Sequence, residues 1–303
     1  MASVLQDFSD ALALTVEGTG PAVVRVEARR RLPATGIVWS AAGVIVTAHH
    51  VVEQDDHVGI GLHDGSTLSA RLLGRDPTTD VAVLQAQIGQ GQLPLTVPTW
   101  ADPADLRVGH LALALGRPGG RVLATFGIIS ALGESWRTPA GGEVDHYLQS
   151  DVVMLPGFSG GPLVDAAGHI IGMNTSAMLR GVSLTIPAPT LRRVVETILS
   201  HGHVRRGYLG VSAQAARLPA LLAQQLQQES GLLLGSVEAD GPADKAGLFM
   251  GDTLISLDNQ PVRHLDDLMA LLTGERVGRP LSARIVRGGQ VQTLDVVIGE
   301  RSA

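Results

Sequence analysis

The 303-residue chain contains no cysteine. A disulfide framework and a thiolate metal site are therefore both excluded. Aromatic residues make up only 3% of the chain, so its cores must be filled by Val, Leu, Ile and Ala. The net charge is −6 and no long basic run is present, which leaves nucleic-acid binding without an electrostatic footprint. No stretch approaches the roughly 18 uninterrupted apolar residues of a membrane span. Met1 to Glu17 has neither a basic start nor an unbroken apolar run, so it does not read as a secretory signal. As numbered, the chain is expected in the cytoplasm; a trimmed chain would fit the periplasm or another extracytoplasmic compartment. No metal-ligand cluster is visible and no cofactor is implied. His201 and His203, two apart, lack a carboxylate or cysteine partner nearby and read as solvated linker residues.

What is present is globular: 45% hydrophobic and 17% charged residues, with length enough for two domains. Glycine is abundant, and the most informative run is Gly157-Phe158-Ser159-Gly160-Gly161-Pro162. Small residues around one serine let its hydroxyl stand exposed, with backbone N–H groups aimed at one point. That is what acyl transfer asks of a nucleophile and an oxyanion hole. The same run also suits an ordinary Gly-rich turn in a β protein. Val44-Ile45-Val46-Thr47-Ala48-His49-His50 sets histidines directly after a β-branched run, and Asp76-Pro77-Thr78-Thr79-Asp80-Val81 sets aspartates directly before another. Serine needs an imidazole base, and the imidazole needs a carboxylate to hold its tautomer. The order His…Asp…Ser is that of the chymotrypsin-type triad.

Together these segments resemble the HtrA/Deg family of trypsin-like serine proteases. Thr47-Ala48-His49-His50-Val51-Val52, Thr79-Asp80-Val81-Ala82-Val83-Leu84 and Gln149-Ser150-Asp151…Pro156-Gly157-Phe158-Ser159-Gly160-Gly161-Pro162-Leu163 carry the likeness, which runs from about Thr35 to the C-terminus. The resemblance implies a mainly β fold: a chymotrypsin-like double β-barrel over residues 1–200, a linker at 201–207 and a PDZ domain at 208–303. It makes Ser159 the nucleophile, His50 the base with His49 as rival, and Asp80 the orienting acid. Asp76 is then a turn former before Pro77. Gly157 and Ser159 N–H groups are expected in the oxyanion hole.

Phe158 departs from the family, which usually has Asn there. It carries no charge, so it cannot pair with a cleaved N-terminus, and activity must depend on loop packing. Met154 and Leu155 read as nearby apolar bulk. The substrate pocket is expected near Gly181-Val182-Ser183-Leu184-Thr185-Ile186-Pro187, with Val182, Ser183 and Leu184 on its wall. The absence of an acid there argues against a basic P1 residue and for a medium aliphatic one. Gly133 to His146 is polar and Gly-rich, a candidate regulatory loop.

After Pro187, Leu191, Val194, Val195, Ile198 and Leu199 recur at helical spacing, with Thr190 as expected N-cap and Gly202 as stop. From Tyr208 the order Tyr208-Leu209-Gly210-Val211, Gly231 to Val237, Pro242 to Leu248 and Gly251 to Asp258 resembles a PDZ domain. A peptide C-terminus would add as a strand beside Tyr208-Leu209-Gly210-Val211. A helix near Leu265 to Leu272 would line its pocket with Leu268 and Leu272. The expected function is a serine endopeptidase acting on unfolded or damaged proteins. A proteolytically silent or chaperone-like peptide-binding protein on the same fold is the alternative. The family also implies a homo-oligomer, a trimer, with Phe8, Leu12, Leu14 and Val16 available for contacts.

Overall fold

A computed structural model describes residues 3–30, 32–89, 94–101, 103–179 and 182–300. Contacts divide the chain into two compact units, Met1–Val204 and Arg205–Ala303.

The first unit opens with α1 (Val4–Thr19), capped by the Ser3 hydroxyl on the Gln6 N–H. Its apolar residues point two ways. Leu12 and Val16 pack on the barrel core. Val4, Leu5 and Leu14 are exposed, and Phe8 meets Phe126 edge to face at 6.0 Å.

Six short strands follow: β1 (Val23–Glu27), β2 (Ala34–Val38), β3 (Val44–Ala48), β4 (Val58–Gly61), β5 (Thr67–Asp76) and β6 (Val81–Ala86). They close in the order β1-β2-β3-β6-β5-β4. β2 and β3 are buried along their whole length, and the β-branched run Val44 to Thr47 suits β3 to that place.

The second barrel uses β7 (Leu111–Gly116) and β8 (Leu123–Gly133), then β11 (Tyr147–Ser150), β12 (Pro162–Val164), β13 (Ile170–Thr175) and β14 (Ser183–Pro187), closed as β11-β14-β13-β12-β7-β8. The polar segment between β8 and β11 forms a small hairpin, β9 (Trp136–Arg137) with β10 (Glu143–Val144). Thr138 Oγ1 ties it to the Thr78 carbonyl at 2.7 Å.

The helix α2 (Ala188–His201) ends at Gly202, which takes the left-handed conformation (φ +79°) expected of a helix stop. Its start differs from the sequence expectation. Pro187 is the N-cap, and Thr190 instead spends its hydroxyl on Asp145, donating to Oδ2 at 2.6 Å and accepting from the N–H at 2.9 Å. Proline in the first turn starts the helix without needing a capping oxygen.

The second unit contains β15 (Gly207–Tyr208), β16 (Val211–Arg217), α3 (Ala220–Leu226), β17 (Ser230–Val237), α4 (Pro242–Lys245), β18 (Thr253–Leu257), β19 (Gln260–Pro261), α5 (Leu265–Leu271), β20 (Pro280–Arg287), β21 (Gln290–Val297) and β22 (Gly299–Glu300). The main sheet runs β16-β17-β18-β20-β21, which leaves β16 an edge strand. β15 pairs separately with β22. The architecture is mainly β, with two six-stranded barrels and a separate sheet unit, as expected. No helix among the described residues is long and apolar enough to cross a membrane.

Candidate active site

Pairing of β3 with β6 brings Ala48 opposite Val81. His50, just past one strand, and Asp80, just before the other, are thereby neighbours although 30 residues apart in sequence. Asp80 holds a left-handed backbone (φ +57°), a conformation that Asp tolerates better than most residues. Its carboxylate accepts from the His50 N–H at 2.9 Å and meets His50 Nδ1 at 3.0 and 2.8 Å through its two oxygens. Thr175 donates a short hydrogen bond to the same Oδ2. The aspartate is buried, and four contacts converge on it, so the ring is held at Nδ1 while Nε2 has no partner among the described residues.

The rival histidine goes elsewhere. His49 and His50 share one 3-10 turn, so their side chains diverge. Burial, with the Arg75 cation near, pushes the His49 imidazole below the usual histidine range, and its Nδ1 is buried without a hydrogen-bond partner. Asp76 receives the Thr78 N–H at 3.1 Å and the Thr78 and Thr79 hydroxyls at 2.6 and 2.7 Å, the bonding of a turn former.

Ser159 sits between two left-handed glycines, Gly157 (φ +89°) and Gly160 (φ +85°). Both positions also lack room: a Cβ at Gly160 would lie 2.1 Å from the Thr35 carbonyl oxygen, and one at Gly157 2.6 Å from Pro118. The N–H groups of Gly157 and Ser159 have no hydrogen-bond partner among the described residues, whereas the amides of Phe158, Gly160 and Gly161 are all bonded. Phe158 is fully buried among Ala112, Ala114, Ile129, Leu163 and Ile171 and lies against Gly116. It anchors the serine loop in the second barrel by apolar packing.

His50 and Ser159 face one cleft of about 400 Å³, lined also by Arg29, Leu32, Met154, Leu155, Pro156, Gly157 and Ser176. The Ser159 hydroxyl shares a hydrogen bond with Ser176 at 3.0 Å. Ser176 escaped the sequence reading, although Asn174-Thr175-Ser176 is a polar run at the end of a buried strand. Met154 and Leu155 line the cleft, whereas Val182, Ser183 and Leu184 are not among its lining residues. Leu184 is buried in the barrel, and the Ser183 hydroxyl donates to the Val152 carbonyl at 3.0 Å. Gly181 lies outside the described residues.

In the second unit, Leu209 and Gly210 lie between β15 and β16. Their carbonyls accept from Ala243 and Glu238 at 2.9 and 2.8 Å, while their own N–H groups have no partner among the described residues. Gly210 takes φ +78°. The edge strand β16 begins at Val211 and lies beside α5, where Leu268 is buried and Leu272 half-buried on the same core. Tyr208 pairs with Gly299.

Two closed six-stranded barrels, with a serine and a histidine at one cleft and an aspartate buried behind the histidine, have the architecture of a trypsin-like protease domain. The sequence profile of the trypsin-like peptidase domain matches residues 34–173, and that of the PDZ domain residues 207–298. Over 271 residues the chain is 37% identical to the "probable periplasmic serine endoprotease DegP-like" of Ectopseudomonas mendocina, covering 88% of this chain and 56% of that protein. The solved HtrA-type protease AlgW with decapeptide is similar at TM-score 0.76 and 31% identity, over 96% of this chain and 99% of that one. The serine endoprotease from Yersinia pestis gives TM-score 0.77 at 29% identity, over 96% and 98%. The chain belongs to the HtrA-type serine protease family. It spans about half the length of the curated relatives it matches.

Proposed function

We propose that the chain is a serine endopeptidase that hydrolyses peptide bonds in unfolded or damaged proteins. The observation that carries this reading is the meeting of the His50–Asp80 pair and Ser159 at one cleft. Ser159 Oγ turns from Ser176 toward His50, attacks the scissile carbonyl and passes its proton to Nε2. His50 then returns that proton to the leaving amine. Asp80 holds the imidazole by Nδ1 and stabilises its charged form. The two unpartnered amides, Gly157 and Ser159, receive the oxyanion. The apolar Met154 and Leu155 beside the serine favour an aliphatic over a basic residue at the cut.

The C-terminal unit binds peptide C-termini. The Leu209 and Gly210 N–H groups take the carboxylate, the peptide extends β16, and Val211, Leu268 and Leu272 line the side-chain pocket, with Tyr208 opening the loop. Structures of the relative AlgW with a decapeptide and with a tripeptide support peptide binding on this fold. We place the protein in an extracytoplasmic compartment, since relatives bear periplasmic names. We also propose a homotrimer, for which the outward residues of α1 (Phe8 and Leu14) are available while Leu12 and Val16 are spent on the barrel.

A casein digestion with wild type and Ser159→Ala tests the reading. The variant should lose on the order of 10⁴–10⁶ in rate while circular dichroism stays unchanged. Equal digestion by both would remove Ser159 from the mechanism. A folded wild type that binds peptides but cuts nothing would favour the silent, chaperone-like alternative.

A further inference from the structure

Three peptide planes around Ser159 are pinned by hydrogen bonds. The plane joining Gly157 to Phe158 is held at both ends: the Gly157 carbonyl accepts from Thr35 Oγ1 at 2.6 Å, and the Phe158 N–H donates to the Leu155 carbonyl at 3.0 Å. The plane joining Ser159 to Gly160 is held likewise, its carbonyl accepting from the Thr35 N–H at 3.2 Å and its N–H donating to Asn174 at 2.9 Å. Between them, the Phe158 carbonyl accepts from the Gly161 N–H at 2.9 Å. Peptide planes are stiff, so pinning the Phe158 carbonyl fixes where the Ser159 N–H of the same plane points, and pinning the Gly157 carbonyl holds the residue that carries the amide next before it. The amides left over are those of Gly157 and Ser159.

One residue touches both doubly held planes. Thr35 is fully buried in β2, 122 residues from Gly157 in sequence. Its own atoms are fixed in turn. Its hydroxyl accepts from the Arg117 N–H at 2.8 Å, and its carbonyl accepts from the Thr47 hydroxyl at 2.7 Å. Arg117 cannot drift: its buried guanidinium donates to the carbonyls of Val23, Gly20 and Gly120 at 2.7, 3.0 and 3.0 Å. A hydroxyl with its acceptor side filled by Arg117 has its proton directed at Gly157, so the bond has one polarity.

We infer that Thr35 is a positioning residue for the oxyanion hole, a first-barrel clamp whose hydroxyl and N–H hold the second barrel's serine loop in its catalytic shape. The inference rests on the protease reading above. Thr35 never touches substrate; it acts through Gly157 and Ser159. Its removal should therefore weaken binding of the transition state more than that of the ground state.

The test uses the full chain with Thr35→Val, which keeps shape and loses the hydroxyl, and Thr35→Ser, which keeps the hydroxyl. The readouts are kcat and KM on a chromogenic peptide, affinity for a peptidyl boronate that forms a tetrahedral adduct, and melting temperature. Loss of a single oxyanion donor costs about 10²–10³ in kcat, and displacing the loop should cost about tenfold to a hundredfold. Thr35→Val is expected to lose that factor in kcat and in boronate affinity, with KM within about threefold, while Thr35→Ser stays near wild type. Should Thr35→Val not fold, Thr35→Cys, compared with Thr35→Ser, is expected to show the same split. A lowered melting temperature with wild-type kcat per folded molecule would overturn the inference, as would equal losses in the hydroxyl-keeping and hydroxyl-less variants. A wild type that neither cuts the peptide nor forms the boronate adduct would overturn the protease reading, and the inference with it.

Discussion

The two barrels contribute unequal halves of the site. The first delivers a finished unit: His50 and Asp80 stand at paired strand ends, in contact at 2.8 Å, with the carboxylate buried and further bound by Thr175. The second delivers Ser159 on a loop, with its hydroxyl turned to Ser176. Strand ends fix the His50–Asp80 pair through the sheet ladder itself. A loop has no ladder, so its shape depends on Phe158 packing below and on Thr35 hydrogen bonds from the other barrel. The lesson is that the His50–Asp80 pair is preset by local pairing, whereas Ser159 and the amides of its loop are set by long-range contacts. Damage to the two halves should therefore look different.

The largest effects should come from the preset half. His50→Ala should abolish hydrolysis, by a factor on the order of 10⁴ or more, while His49→Ala should retain turnover. Among the described residues the Asp80 carboxylate is bonded by His50 and Thr175 and not by His49, whose imidazole pKa burial pushes down. The reverse outcome, in steady-state kinetics of the two purified variants, would put the catalytic histidine one position earlier.

Next comes the loop half. Phe158→Ala should cost about 3–5 kcal/mol of stability, as truncation of a buried aromatic usually does. Calorimetry on the full chain should show a destabilised protease unit, and the folded fraction should be slower in kcat. Unchanged stability would mean that the loop does not depend on this anchor.

A smaller effect is expected in the C-terminal unit, where a buried aspartate pairs with a half-buried arginine. Asp252 is deeply buried, which by itself raises a carboxyl pKa. The bidentate Arg287 guanidinium at 2.7 Å and the Phe249 N–H outweigh that, so its pKa is held below the usual carboxylate value. The folded pKa is the lower one, so the unfolded chain binds the proton more readily. The pair's stabilisation is therefore complete above the ordinary carboxylate pKa near 3.9 and fades as pH falls through the folded value. Asp252→Asn should lower the stability of this unit at neutral pH by about 1–3 kcal/mol and flatten its response to acid. Identical acid titrations of variant and wild type would contradict this.

The smallest is at the peptide groove. Amidating a C-terminal peptide removes the charge proposed to sit on the Leu209 and Gly210 amides, and should weaken binding roughly tenfold. Fluorescence polarisation with free and amidated peptides measures it, and equal affinities would exclude the carboxylate mode.

The same inequality governs what the sequence disclosed. That His50, Asp80 and Ser159 would meet was legible because each stands beside a short β-branched or Gly-rich run. So was Gly202 at the end of α2. Thr35, Arg117 and Ser176 were not. Each is an ordinary residue until folding brings a partner to it, and the Arg117–Thr35 and Thr35–Gly157 bonds span 82 and 122 residues. Thr190 looked like a cap because hydroxyl residues favour that place, but Asp145, 45 residues away, had the stronger claim on its hydroxyl. Phe158 was seen as a departure, yet its direction needed the barrel: only the space beside Gly116 shows that the ring points inward.

The central claim is that Ser159 is a nucleophile activated by the His50–Asp80 pair. The most direct measurement is covalent labelling by a peptidyl fluorophosphonate, followed by mass spectrometric mapping, in wild type and His50→Ala. The account predicts a single adduct on Ser159 in wild type and labelling slowed by several orders of magnitude without His50. An adduct on another residue, or equal labelling of Ser159 in both proteins, would contradict it.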